Sequence, residues 1–334
     1  MSPHDDSGER ARALAGGYRV VEVPGAAAGM RLDRFLSGFF VDRSRSWMVR
    51  GIRDGLVKDP SGRALKGSSR VRHGDRLHLF LPGIAPTEPP PPFPEILHED
   101  DRVVAVAKPA GLLVHPSGTR FAWALISMAK LRWPEHRVDL VHRLDRDTSG
   151  VIFLTKEREA NVFLKEAIAR GDCQKEYLAL AKGQVPWDRK DVRAPIGFRG
   201  EIIRIQMGVR DDGLPAHTTF TVQERRPTLS LVRCELHTGR THQIRVHLNH
   251  VGHPILGDRL YGVPEHVFLD TLDHGVTAAT VAATGAPRHA LHARRTVVPH
   301  PDGGELEVMA PLPPDMAAWW AAAGVDDGPG GAAG

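Results

Sequence analysis

Eleven residues, Ala85 to Glu95, read APTEPPPPFPE, and no regular element can run through them. Proline fixes φ and removes the amide donor, so this density excludes a helix or a central strand. It leaves a semi-stiff connector of polyproline type. The connector, taken as residues 84–95, divides the chain of 334 residues into a small module over 18–83 and a larger one over 96–315, a count of two that suits the length. Both ends are small, polar and without period. Residues 1–17, and the tail 316–334 that closes on GVDDGPGGAAG, are expected to be disordered. A hydrophobic content of 41% supports a sizeable core, while no stretch reaches the roughly 18 apolar residues of a membrane span. The opening MSPHDDSGERARALAGG lacks the apolar centre of a signal peptide. Cys173 and Cys234 alone cannot build a disulfide framework or a cysteine metal site. A cytoplasmic location is the expectation.

In the small module, YRVVEVP alternates as a strand, and MRLDRFLSGFF places Leu32, Phe35, Leu36, Phe39 and Phe40 at helical spacing. A second helix follows in VDRSRSWMVRGIRDGLV. Ser44 or Ser46 is its N-cap, Trp47, Val49 and Ile52 are its apolar positions, and Gly55 is its stop. The rest, through HGDRLHLFLP, alternates as a small hairpin-rich sheet. From Arg43 to Arg76 there are ten Lys/Arg against three acids, a charge imbalance suited to a polyanion. With RLDRFL, SRS, Ile52, Gly55, Val57 and the Gly74-Asp75 pair, the module resembles the S4-type RNA-binding domain. That resemblance assigns Arg45, Arg50, Arg53 and Lys58 to RNA contact. Its rival is a merely solubilising basic face.

The larger module offers strand candidates at Val103–Ala107, Val151–Thr155, 174–183, 202–207, 217–222 and Leu229–Leu236. Helical period appears over 157–169, and over THQIRVHLNHVG opened by Thr241. This mixture is too strand-rich for repeated βαβ units. The expected class is α+β, with a mixed, largely antiparallel sheet, flanking helices and loops, and a small α/β domain ahead of it. Residues 263–287 read as a surface loop or short helix.

Three stretches carry polar residues that neither period requires: HRLDRDTSG, QKEYLALAKG and HTGRTHQIRVH. In the first, Asp145 sits among Arg143, Arg146 and His142 at the mouth of an apolar run. A solvated turn is the ordinary explanation of such a cluster; a loop that positions chemistry is the other. The ordered set KPAGLLVHP, HRLDRDTSG, KEYLAL, PAHTTF, HTGRTHQIRVHL, GHPILGDRLYG and RHALHA decides between them, because it resembles the RluA-type pseudouridine synthases across residues 18–312. The resemblance implies an isomerase that breaks the N1–C1′ bond of chosen uridines in structured RNA and joins C5 to C1′.

It implies further that Asp145 is the catalytic carboxylate, acting on C1′ as a nucleophile or promoting loss of the base toward a glycal. Arg245 is implied as its guanidinium partner, expected to be bidentate and to hold the Asp pKa down by about 1–3 units. Tyr177 is implied to pack on the uracil and assist proton transfer. Arg143 is implied to enter the RNA as the uridine is everted; its competing role is an ion pair with Asp147. His142, Arg240 and His242 complete the expected RNA contacts, His242 bonding backbone or RNA, while Thr148, Ser149 and Gly150 shape the turn.

The cluster His242, His247, His250 and His253 has one-helix spacing rather than that of a tetrahedral site, and no dinucleotide or phosphate loop is present. No metal and no cofactor are expected. The expected partner is ribosomal RNA, with transfer RNA as the alternative, and the expected state is a monomer. A non-catalytic ribosome-assembly factor is the competing class, and a glycosidase would need a second acid. The joint presence of Asp145, Tyr177 and Arg245 favours the enzyme.

Overall fold

The computed structural model describes residues 19–40, 44–79, 92–115, 124–133, 135–200, 203 and 205–324. The expected disorder of 1–17 and most of the proline connector lie outside the described residues. Two compact units make up the chain: one of Met1–Phe93 with Leu113–Glu135, the other of Pro94–Leu112 with His136–Gly334. The assignment of Leu113–Glu135 to the first unit is an excursion that the proline connector did not foretell.

In the first unit, β1 (Arg19–Glu22), β2 (Val57–Lys58) and β3 (Arg76–Leu79) form an antiparallel sheet in the order β1-β3-β2. Helices α1 (Leu32–Phe39) and α2 (Arg45–Arg53) pack against it. Leu32, Phe35, Leu36, Met48 and Ile52 fill the core at the positions of one helical face. Val49, expected inside, is 41% exposed and Met48 is buried in its place. Ser44 Oγ accepts the Trp47 amide at 3.1 Å and so caps α2, and Gly55 supplies the positive φ of 73° that ends it. Helix α3 (Leu125–Arg132) belongs to the same unit.

The second unit is built on β4 (Glu95–Glu99), β5 (Val103–Lys108), β6 (Asp139–Leu140), β7 (Ser149–Thr155), β8 (Gln174–Lys182), β9 (Arg189–Val192), the hairpin β10 (Ile196–Phe198) and β11 (Met207–Val209), β12 (Thr218–Arg225), β13 (Leu229–Leu236), β14 (Leu291–Pro299) and β15 (Glu305–Met309). One sheet runs β4-β5-β7-β14-β8-β13-β12-β9, with β6 on β7 and β15 on β14. Every pairing in it is antiparallel except β7 with β14. The α+β class and the mixed, largely antiparallel sheet are therefore as expected.

Helix α4 (Arg158–Arg170) covers β7 and ends at Gly171, φ 87°. It is followed by α5 (Gln243–His250), α6 (Glu265–His274), α7 (Ala278–Thr284) and α8 (Pro314–Ala322). The expected strand over 202–207 is corrected: Ile203 and Ile205–Gln206 are turn and coil, and the strand is Met207–Val209. Helix α5 opens at Gln243 after His242, not at Thr241. The expected disorder from 316 is also corrected. Helix α8 starts on Pro314, which lacks only a donor that the first turn leaves unused. Met316 is fully buried, Arg288 holds Asp315 through two 2.7 Å bonds, and the Arg226 guanidinium lies 4.3 Å from the Trp320 ring. Residues 325–334 lie outside the described residues.

Candidate active site

The loop from Val141 to Thr148 enters β7 through a turn in which the Thr148 amide donates to Asp145 O at 3.2 Å. Lys108, 1% exposed, fixes this loop from beneath. Its ammonium donates to the carbonyls of Pro109, Leu112 and Arg146, each at 2.9 Å. Burial brings the Lys108 pKa down to about 7, while Asp147 and Asp145 oppose the fall. On the far side of the loop, Thr148 Oγ1 lies 2.8 Å from His289 Nε2 and Ser149 Oγ lies 3.0 Å from His292 Nδ1. The turn residues therefore tie β7 to β14. Gly150, with φ 113°, lies where a Cβ would come within 2.1 Å of Ala293 O, so only glycine permits the parallel pairing.

Asp145 keeps 30% of its side chain exposed and receives Arg245 Nη1 on Oδ2 at 2.9 Å. Its other oxygen, Oδ1, has no hydrogen-bond partner among the described residues. Burial raises the Asp145 pKa, but Arg245, then His242 and His289, more than reverse this, and the carboxyl stays below its ordinary value. The expected bidentate pair is corrected here. Arg245 aims its fork at Asp258, Nε to Oδ2 at 2.7 Å and Nη2 to Oδ1 at 2.9 Å, and spares a single N–H for Asp145. Asp258 has no exposed side-chain surface; it also accepts the amides of Leu260 at 2.9 Å and Tyr261 at 3.2 Å. Burial opposes its charge, Arg245 restores it, and its pKa falls to about 2. The guanidinium is likewise held charged by the two carboxylates against its own burial. An acid set between apolar Leu256 and Leu260 is the sequence signal that points to a buried Asp258.

Tyr177 is buried on β8, opposite Cys234 of β13 and Ala293 of β14. Burial, and then the charge of Asp145, push its phenol well up, so it carries its proton at neutral pH. His242 lies between Asp145, its Nε2 3.8 Å from Oδ2, and Tyr261, whose hydroxyl is 2.9 Å from Nδ1. Its pKa falls to about 4, through burial first and then Arg245. The hydrogen bond that the His242 ring makes is thus to the Tyr261 phenol, while Asp145 stands beyond hydrogen-bond distance. His142 is turned inward: Nε2 accepts the Phe153 amide at 3.3 Å, and burial lowers its pKa to about 3.

Arg143 is exposed. Its competing partner is taken, since Asp147 pairs with Arg146 at 2.9 Å and with Arg259. Arg240 is exposed too, its Nε donating to Pro215 O at 3.0 Å. In the first unit, Arg45, Arg50 and Arg53 lie together on the exposed side of α2 with Ser46 and Val49, and Lys58 is half-buried on β2.

The histidines of α5 and its end do not converge. His247 spends Nδ1 on Thr218 and Nε2 on Ala194 O, each at 2.9 Å, and His253 Nδ1 faces Lys182 O at 3.1 Å. A different trio, Asp191, His217 and His237, brings its ligand atoms within 4.8 Å of one another. The two rings stack at 4.0 Å and 16°, however, so their lone pairs lie in parallel planes that do not meet on one ion. Thr219 bridges Asp191 and His237 instead.

Residues 102–250 match the RNA pseudouridylate synthase family, a span that includes Asp145, Tyr177, His242 and Arg245 and stops before Asp258. Ribosomal large subunit pseudouridine synthase D of Neisseria meningitidis serogroup B is 35% identical over 331 aligned residues, covering 94% of this chain and 84% of that protein. Ribosomal large subunit pseudouridine synthase C of Escherichia coli K12 is 36% identical over 310 residues, covering 88% and 93%. Among solved structures, human RNA pseudouridylate synthase domain containing 4 superposes with a TM-score of 0.53 at 25% identity, covering 68% of this chain and 91% of that one. Domain containing 1 gives 0.55 at 24%, covering 70% and 90%, which speaks for the fold.

Proposed function

The chain belongs to the RNA pseudouridylate synthase family and is therefore an isomerase, and on that footing we propose that Asp145 is its catalytic carboxylate and large-subunit ribosomal RNA its substrate. One observation carries the first part: Asp145 Oδ2 is held by Arg245 at 2.9 Å while Oδ1 has no partner among the described residues. An ionised oxygen facing a sugar can attack C1′ and expel N1, or draw off a ribose proton so that the base leaves and a glycal forms. In both routes C5 then bonds to C1′, displacing the carboxylate in the first and with the borrowed proton returned to C2′ in the second; the C5 hydrogen is lost and N1 gains one. A charged carboxylate is required in each, and a fixed, fully charged guanidinium supplies the field that maintains it.

Tyr177, protonated and apolar-faced, suits stacking on uracil and donating or relaying a proton. Arg143, exposed and ahead of the carboxylate, suits filling the space of an everted uridine, whose extrusion costs a few kcal/mol. The first unit is read as an S4-like RNA-binding domain that meets RNA through Arg45, Arg50, Arg53 and Lys58, with Arg240 contributing from the second unit. The substrate assignment is supported by the two bacterial relatives, both named for the ribosomal large subunit. A monomer without cofactor, acting in the cytoplasm, completes the proposal.

RNA carrying tritium at uridine C5 tests it. The protein should release label, and Asp145→Ala should stop release while RNA binding persists. Normal turnover by Asp145→Ala would remove the assignment. Mapping pseudouridine in cells lacking the gene should show loss from large-subunit RNA; loss from transfer RNA alone would redirect the substrate.

A further inference from the structure

His242 is the single residue other than glycine with a positive φ among the described residues, at 58°. An L-residue in the left-handed region is strained, and such strain persists where the surroundings over-determine it. The strain does not serve the helix, since the His242 side chain makes no capping bond to α5. It aims the ring, placing Nδ1 2.9 Å from the Tyr261 hydroxyl and Nε2 3.8 Å from Asp145 Oδ2. Tyr261 is itself fixed: it is 5% exposed, its ring meets His242 edge-on at 5.8 Å, and its oxygen accepts the Met207 amide at 3.0 Å. A phenol that already accepts one bond has its own hydrogen to give, and Nδ1 is in place to accept it. The ring hydrogen then falls on Nε2, the nitrogen turned to the carboxylate. The opposite tautomer would set two lone pairs against each other there.

We infer that His242 is a positioning residue, held by Tyr261 as the Nε2–H tautomer so that its N–H and the single N–H of Arg245 together fix Asp145 Oδ2 and leave Oδ1 toward the sugar. This rests on the assignment of Asp145 above. Because Asp258 takes two donors of Arg245, one bond alone would leave the carboxylate free to rotate. A 3.8 Å separation in the free protein is of the kind that shortens when substrate closes a site. The charged and titratable groups facing the ring are Arg245, Asp145, Asp258 and Tyr261, and burial with Arg245 keeps the ring neutral, which Nδ1 needs in order to accept.

Nitrogen-15 labelling of the imidazoles, with His242 assigned by difference from His242→Asn, reads the tautomer directly at pH 7. The Nε2–H form is expected; the Nδ1–H form overturns the inference. Tyr261→Phe should lower kcat for tritium release by roughly 10–100-fold with little change in KM. Its acid limb should move to higher pH, since an unbonded Nδ1 takes up a proton more readily. Unchanged kcat and acid limb in Tyr261→Phe would overturn the inference. His242→Asn, which tolerates the left-handed backbone and keeps an N–H, should retain more kcat than His242→Ala, and equal losses would again count against it. If Asp145→Ala abolishes release while the ring proves Nδ1–H, only the tautomer is wrong. If Asp145→Ala leaves release intact, the reading of Asp145 is what fails.

Discussion

Asp258 accepts two of the three N–H bonds that Arg245 makes to carboxylates, and this division shapes what single substitutions should do. A lysine at 245 presents one ammonium and no fork, so it cannot satisfy a buried Asp258 and reach Asp145 as well. Arg245→Lys is therefore expected to be as inactive as Arg245→Ala, rather than milder. Asp258→Asn should cost about 3 kcal/mol in urea unfolding, the usual scale for breaking a buried ion pair. The pH sign follows from the depressed Asp258 pKa of about 2. The stabilisation is fully present above the unfolded value of about 3.9 and is lost as pH falls from there toward 2, so the difference between wild type and Asp258→Asn should shrink over that window. Equal midpoint differences at about pH 6 and about pH 2.5 would contradict it. At this scale the family motifs made Asp145, Tyr177 and Arg245 legible. Asp258, Tyr261 and His289 were not, because a polar residue in an apolar stretch announces burial without naming its partner, and the partners here stand 13 to 141 positions away.

Among the elements, β7 and β14 form the parallel pair that carries the loop of Asp145, and a single glycine allows it. Gly150→Ala adds a Cβ that meets Ala293 backbone atoms at 2.1 to 2.7 Å at a φ of 113°. Its cost should exceed the roughly 0.5–3 kcal/mol common for point substitutions. Gly171→Ala, at φ 87° with open space around it, should cost only about 1 kcal/mol. Similar unfolding midpoints for the two would show that the close approach is not what matters. Strands β5, β7, β8 and β13 could be read from apolar runs or alternation in VVAVA, VIFLT, EYLALA and LSLVRCEL. Strand β14 could not: LHARRTVVP interrupts its apolar residues with His292, Arg294 and Arg295, though it lies at the centre of the sheet between β7 and β8. Its polar residues are answered by groups from other strands, Ser149 on His292 and Glu307 on Arg295, a compensation that no local period displays. Helix α8 was lost for the opposite reason, its alanines merging by composition with the Gly-rich stretch that follows.

For the whole molecule, the basic helix α2 belongs to one compact unit and the carboxylate to the other. Affinity and chemistry should therefore separate. Arg45→Glu with Arg50→Glu is expected to leave kcat at saturating RNA near wild type. It should also flatten the plot of log affinity against log salt by about 0.7 for each single-strand phosphate that is no longer neutralised. An unchanged slope would mean that α2 does not meet RNA. The membership of Leu113–Glu135 in the first unit has no counterpart in composition, since such an excursion depends on packing between distant segments. One matter of timing follows from the suture of Thr148 to His289, Ser149 to His292 and Gly150 to Ala293. A polypeptide cut short of residue 293 would hold Asp145 without the strand to which its loop is sewn, so that loop should not settle into the described geometry until β14 is made.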